Sequence, residues 1–244
     1  MEKIKNEEKA AILIDALPYM IDFSNKTMVV SYTCSDILTV EQEQEMMLDL
    51  SILHSMGIQI VMVHDTRMGA DKFRENKRLA KLLEFNGVKA IGVCGIDEQT
   101  LHMTLDNGYI PVITPNDIDT EYENLNPMDT ALQIAELLDT EKLLYVGRFD
   151  GAVDETGKVI CTMRAGELKK YMAEQELDPR LRHMFTNALE AVGQGICRVH
   201  VLNGRIPHAL LVELFSIEGI GTAIMSDDGV LYHHEKMYFE EKKN

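Results

Sequence analysis

Short apolar runs alternate along the chain with segments whose apolar positions recur every three or four residues. Residues 27–32, 58–64, 88–93, 110–114, 143–146, 198–202 and 222–225 read as strands. Between them, Thr39 opens a helix. Gln42 three residues later completes a capping box, Met46, Leu50 and Leu53 point inward, and Gly57 follows the end. Further helices are expected at 71–86, from Asp97 to before Gly108, from Asn126-Pro127, at 164–176, at 179–192 and from about Pro207. The turn Asp154–Gly157 precedes an expected hairpin arm at 158–162, and Asp227-Asp228-Gly229 precedes another expected hairpin. Strands alternating with helices predict an α/β fold, a three-layer α/β/α sandwich around a mainly parallel sheet. Ahead of the first strand lies one more helix, 9–23, with Ile14, Leu17 and Ile21 at helical spacing and an interior Pro18 that predicts a kink.

Composition narrows the function classes. A net charge of −16 argues against nucleic acid and anionic membranes as partners. No apolar run is long enough to span a bilayer, and the charged first ten residues do not resemble a signal peptide. Cys34, Cys94, Cys161 and Cys197 lie far apart, without zinc-ligand spacing or a disulfide frame, so a reducing cytoplasm is expected. Residues of His233-His234-Glu235 point to opposite faces of an extended strand, so no metal site is expected there. Arg67, Lys72 and Arg74 are interleaved with Asp65, Asp71 and Glu75, which reads as a solvated mixed face.

Several segments taken together carry a resemblance. They are 11–19 (AILIDALPY), 108–115 (GYIPVITP), Asp129-Thr130-Ala131, 149–153 (FDGAV) and 204–222 (GRIPHALLVELFSIEGIGT). The chain resembles the acetylglutamate kinases of the amino-acid kinase family, of the arginine-sensitive type, over nearly its whole length. That likeness implies an amino-acid kinase fold. Residues 1–24 would be a kinked helix for oligomerisation or effector contact. Residues 25–244 would form one domain, with an N-lobe of about 25–140 and a C-lobe of about 141–244. It also implies ATP with Mg if the chain is active, and a homo-oligomer built through the first helix.

The catalytic part of the resemblance is degenerate. Where the family's first strand ends in a Lys and then glycines, this chain has Ser31, Tyr32, Thr33, Cys34 and Ser35. Where a glycine run follows the His of the second strand, His64 is followed by Asp65, Thr66 and Arg67. Met184 stands near the place of a second Lys, and Cys94 near the Arg that grips the acetylglutamate carboxylate. Asp129 matches the family's organising Asp, and Asp150 lies in the FDG segment, where a turn is the plainer reading. Phosphoryl transfer depends on preorganised cations and backbone N–H groups, and several such losses are expected to cost roughly 10⁴–10⁶ in rate. The regulatory positions are retained. Tyr19, His208, Glu218, Gly219 and Gly221 match the family's arginine site. A Glu suits a guanidinium, glycines admit close backbone approach, and a Tyr face covers an aliphatic stem. The resemblance thus implies a catalytically impaired, arginine-binding regulatory protein, with a true acetylglutamate kinase as a partner. Its alternative is an active ATP-dependent kinase of N-acetyl-L-glutamate or a related amino acid, with phosphate contacts rearranged onto Arg67, Arg148 or Arg182.

Overall fold

The computed structural model describes residues 6–116, 125–216 and 219–232, with side chains from residue 14 onward. In chain order the elements are α1 (Asn6–Phe23), β1 (Thr27–Tyr32), α2 (Val40–Ser55), β2 (Gln59–His64), α3 (Lys72–Phe85), β3 (Lys89–Cys94), α4 (Glu98–Asp106) and β4 (Tyr109–Thr114). They continue with α5 (Pro127–Leu137), β5 (Lys142–Gly147), β6 (Thr162–Arg164), α6 (Ala165–Glu174), α7 (Pro179–Gly193), β7 (Arg198–Asn203), α8 (Ala209–Leu214) and β8 (Thr222–Met225). All eight strands join one sheet in the order β3-β4-β2-β1-β5-β7-β8-β6. Every pairing is parallel except β7–β8. The fold is therefore α/β, with a mainly parallel sheet covered on both faces.

Local chemistry places the helices. Thr39 and Gln42 form the reciprocal capping box of α2, while Asp71, Asp97, Asn126 and Asp178 accept the first free N–H groups of α3, α4, α5 and α7. Two apolar cores result, one on each face of the sheet. Leu101, Ile134, Phe185 and Leu168 belong to one, and Phe23, Leu50, Leu79 and Leu210 to the other.

The hairpin arm after the Asp154–Gly157 turn is present but short: Val153 and Val159 form an antiparallel bridge, with the Asp154 N–H on the Lys158 carbonyl and the Ile160 N–H on the Ala152 carbonyl, each at 2.8 Å. From Thr162 the chain continues as β6, parallel to β8 at the sheet edge, where Met163 is buried. One expectation is corrected. The described part of the expected terminal hairpin is a turn at 227–228 followed by irregular chain, while His233 and His234 lie outside the described residues. Within α1 the inward face is Tyr19 and Phe23, which pack against each other and against Phe215 and Tyr232. Ile14, Leu17 and Ile21, the row at helical spacing, face outward, at 67%, 50% and 67% exposure.

Candidate functional site

The carboxyl ends of β1, β2, β4 and β5 open into one cleft, the usual ligand position of an open parallel sheet. Two adjoining cavities of about 580 and 550 Å³ share Asp65, Thr66, Leu125 and Pro127. The first is bounded by the loop from Asp65 to Lys72, and the second by Thr33, Asp36, Met184, Arg148 and Arg180.

Of the positions the sequence singled out for this cleft, Thr33, Asp65, Thr66, Arg67 and Met184 line it. Thr33 donates both its N–H and its hydroxyl to the Val146 carbonyl, at 2.9 and 3.0 Å. Met184 is buried and contributes a thioether to the lining. Ser31, Cys34, His64, Cys94 and Asp150 do not line it. Ser31 is buried in β1, and the Cys34 thiol, buried against the Val146 carbonyl, has its pKa pushed up by burial. Cys94 ends the edge strand β3, and Asp150 accepts a hydrogen bond from Asn203. The next residue, Gly151, has φ +107°, and a Cβ there would sit 2.3 Å from Thr222 Oγ1, so that turn is structural.

His64 is a satisfied core histidine. It is 0% exposed; its Nδ1 bonds the Asp65 carbonyl at 2.6 Å, and its Nε2 faces Thr114 Oγ1 and Asn76 Nδ2, each at 3.2 Å. Two donors at Nε2 put the proton on Nδ1. Burial lowers its pKa, so it is neutral. Asp129, at the start of α5, accepts from His183 and Asn187 of α7. It pins two helices together, and it does not line the cleft.

The cations are mostly committed. Arg67 donates to the Ser35 carbonyl at 3.0 Å and to Glu43 at 3.1 Å, and lies 3.6 Å from Glu75. Arg78 grips Glu43 through two nitrogens, at 2.6 and 2.8 Å, and Glu75 at 2.6 Å. Tyr32 donates its hydroxyl to Glu43 at 3.0 Å. Arg182 closes the end of α6 on the carbonyls of Met172 and Gln175. Arg148, which does line the cleft, pairs with Asp178 at 2.9 Å. The alternative of phosphate contacts through Arg67 or Arg182 thus meets side chains already engaged. The Glu43 network escaped sequence reading, although a signal was present. Glu43 stands in register with Met46, Met47 and Leu50, an acid on the inward stripe of α2.

The arginine-type positions have separate neighbours. Tyr19 is buried against Phe215, at 6.0 Å between ring centres. His208, at φ +53°, bonds the buried Asp49 of α2 at 2.8 Å, and this partner raises its pKa. The backbone N–H groups of Ile220 and Gly221 both reach Glu213 Oε2 at 2.8 Å. Gly219 adopts φ +59°, and a Cβ there would meet the same carboxylate at 2.7 Å. Glu218 lies outside the described residues. Behind this turn, a buried chain that the sequence did not reveal runs from Lys142 Nζ to His200 Nε2 at 3.2 Å, and from His200 Nδ1 to Glu213 Oε1 at 2.6 Å. Burial, and then Lys142, lowers the His200 pKa.

A model of the Amino acid kinase family matches residues 20–203. The chain belongs to the amino acid kinase family. An acetylglutamate kinase from Desulforamulus reducens is 26% identical, over 90% of this chain and 98% of that protein. Another, from Thermoanaerobacter pseudethanolicus, is 29% identical over 88% of this chain and 93% of that protein. Among solved structures, N-acetylglutamate synthase from Neisseria gonorrhoeae, complexed with coenzyme A and N-acetyl-glutamate, superposes with a TM-score of 0.78 at 22% identity. That match covers 88% of this chain but only 63% of the synthase chain. The same synthase complexed with coenzyme A and L-arginine gives 0.73, over 88% of this chain and 65% of that one. The fold of this family member is thereby fixed.

Its buried histidines set a pH dependence. His64 and His200 both have folded-state pKa values below the ordinary 6.5, so below that value the unfolded chain binds protons that the folded chain refuses. Their contribution to stability is present above 6.5 and lost as pH falls. Urea titrations at about pH 7.5 and about pH 5.5 are expected to show a lower midpoint at the acid pH, and His64→Gln is expected to shrink the difference. An unchanged difference in that variant would assign the acid sensitivity elsewhere.

Proposed function

We propose that the chain is a catalytically impaired relative of acetylglutamate kinase that acts by binding: a regulatory or sensor protein linked to arginine biosynthesis. One observation carries this reading. Where the migrating phosphoryl would need ammonium groups and a glycine cradle, the cleft presents Met184, Thr33 and Asp65, and the adjacent Arg67 is engaged by Glu43 and Glu75. A carboxylate and a thioether provide no counter-charge for a phosphoryl group.

The ligand of the regulatory site is L-arginine or a similar amino acid, held between α1 and the segment leading to Gly221. The aromatic wall of Tyr19 and Phe215 and the glycine turn on Glu213 support this placement. The outward apolar row Ile14, Leu17 and Ile21 supports assembly through α1, with further copies or with a true acetylglutamate kinase. No helix among the described residues is long and apolar enough to cross a membrane, and the protein is proposed to work in the cytoplasm.

Calorimetry decides the matter. Heat is expected with millimolar L-arginine and none with ATP and magnesium. Tight nucleotide binding would reverse the reading, and silence with arginine would remove the sensor role.

A further inference from the structure

Lys142 and Arg198 open β5 and β7 and are register partners in the sheet. Both are buried, at 3% and 2% exposure. Like charges side by side and away from water are costly, and apolar residues would fill the same space at less cost. A buried cation is tolerated where partners meet it on several sides. Lys142 has such partners. Its Nζ lies 4.7 Å from the centre of the Phe23 ring, 4.5 Å from that of Tyr232 and 3.2 Å from His200 Nε2.

Those contacts lead in separate directions. Phe23 ends α1, and through Tyr19 its ring stack reaches Phe215. Tyr232 belongs to the chain that follows β8. Its ring centre lies 4.9 Å from the Arg198 guanidinium, and Arg198 also donates to the Val230 carbonyl at 3.1 Å. The Tyr232 hydroxyl donates to Glu141 at 2.8 Å, and Glu141 pairs with Lys26 just after α1 at 3.1 Å. His200 carries the last direction. An ammonium only donates, so His200 Nε2 accepts and the ring proton sits on Nδ1, which donates to Glu213 Oε1 at 2.6 Å. Oε2 of the same carboxylate takes the N–H groups of Ile220 and Gly221, each at 2.8 Å. The end of α1, the chain after β8 and the turn at 219–221 thus converge on one ammonium.

We propose that Lys142 is a positioning residue that ties α1 to the 219–221 turn, so that a displacement of either is felt by the other. Charge-assisted hydrogen bonds and cation–π contacts are directional, and an apolar filler at this place would leave the helix and the turn independent. The tie itself stands on these contacts. Its use, which is to preorganise both walls of a pocket for an amino-acid effector, rests on the proposed regulatory site.

Amide hydrogen exchange on the full chain, without ligand, tests the tie. Phe23→Leu takes the α1 ring away from Lys142. It is expected to speed exchange of the Ile220 and Gly221 amides about fivefold or more, while the Leu101 amide, in the opposite core, is unchanged. Lys142→Met keeps the length of the side chain and removes the charge. It is expected to speed the same two amides, and adding Phe23→Leu to it is expected to change them no further, whereas independent groups would give additive effects. Ile220 and Gly221 amides unmoved by Phe23→Leu, the full effect of Phe23→Leu persisting in the double variant, or a general rise that includes Leu101 would each overturn the inference. Should Phe23→Leu fail to fold, unchanged amides in Lys142→Met overturn it alone. Calorimetry is the second arm. Where the unaltered chain gives heat with L-arginine, Lys142→Met is expected to weaken binding about tenfold or more, and equal affinity would overturn the positioning role. No heat from the unaltered chain would remove the sensor reading instead, and the exchange result would still decide the tie.

Discussion

Glu43→Ala is expected to destabilise the protein by about 3–5 kcal/mol, the usual cost of removing one partner from a buried charge network. Glu43 is 1% exposed and receives Arg78 through two nitrogens, Arg67 and the Tyr32 hydroxyl. Burial alone would raise its pKa, but the Arg78 hydrogen bonds and charge, with Tyr32 and Arg67, leave it below the usual 4.5. That stability is therefore present above 4.5 and lost as pH falls through the depressed value. Removing the carboxylate leaves two guanidinium groups competing for Glu75 and strands a buried phenol. Arg67→Met is expected to cost less, because Arg78 still neutralises Glu43 and the Arg67 side chain is 35% exposed. Urea denaturation of the two variants measures the order. Equal losses would show that the network is not centred on Glu43.

Phosphorylation of N-acetyl-L-glutamate is the second large effect. Turnover is expected roughly 10⁴–10⁶ below that of an ordinary acetylglutamate kinase. The figure follows from the replacement of several charge donors that act as a unit, so their losses are not simply additive. Thr33 spends its hydroxyl on the Val146 carbonyl, and Asp65 adds repulsion in the path of a phosphate. Met184→Lys alone is expected not to rescue the rate, since it returns one cation and leaves Asp65 and the absent glycines in place. A coupled ADP-release assay reads both proteins. Activity within about a hundredfold of an ordinary kinase would end the impaired-enzyme reading.

The alternation of strands and helices was legible because capping and periodicity are local. Thr39, Asp97 and Asn126 sit at helix starts as their spacing indicates. The short hairpin around Asp154–Gly157 was legible from its turn residues, but its continuation into β6 was not, because Thr162–Arg164 take their pairing from β8, far downstream at the Thr162–Ala223 register. The covered side of α1 was not legible either. Which side of a helix faces the core depends on where Phe215 and Tyr232 lie, and both come from the far end of the chain.

The candidate site divides in the same way. The sequence located Asp65 and Thr66 at the cleft, since they follow the recognisable end of β2. It did not show that Arg67 is engaged by Glu43 of α2 and Glu75 of α3, or that Lys142, His200 and Glu213 form one buried chain. By itself the sequence determined the family and the α/β order of elements, because both depend on residue identity and short spacing. Only the tertiary structure decided which charges cancel, which remain facing the cleft and which side of α1 is covered. Those outcomes depend on distances of a few ångströms between groups far apart along the chain, and electrostatic energies are set by such distances and by burial.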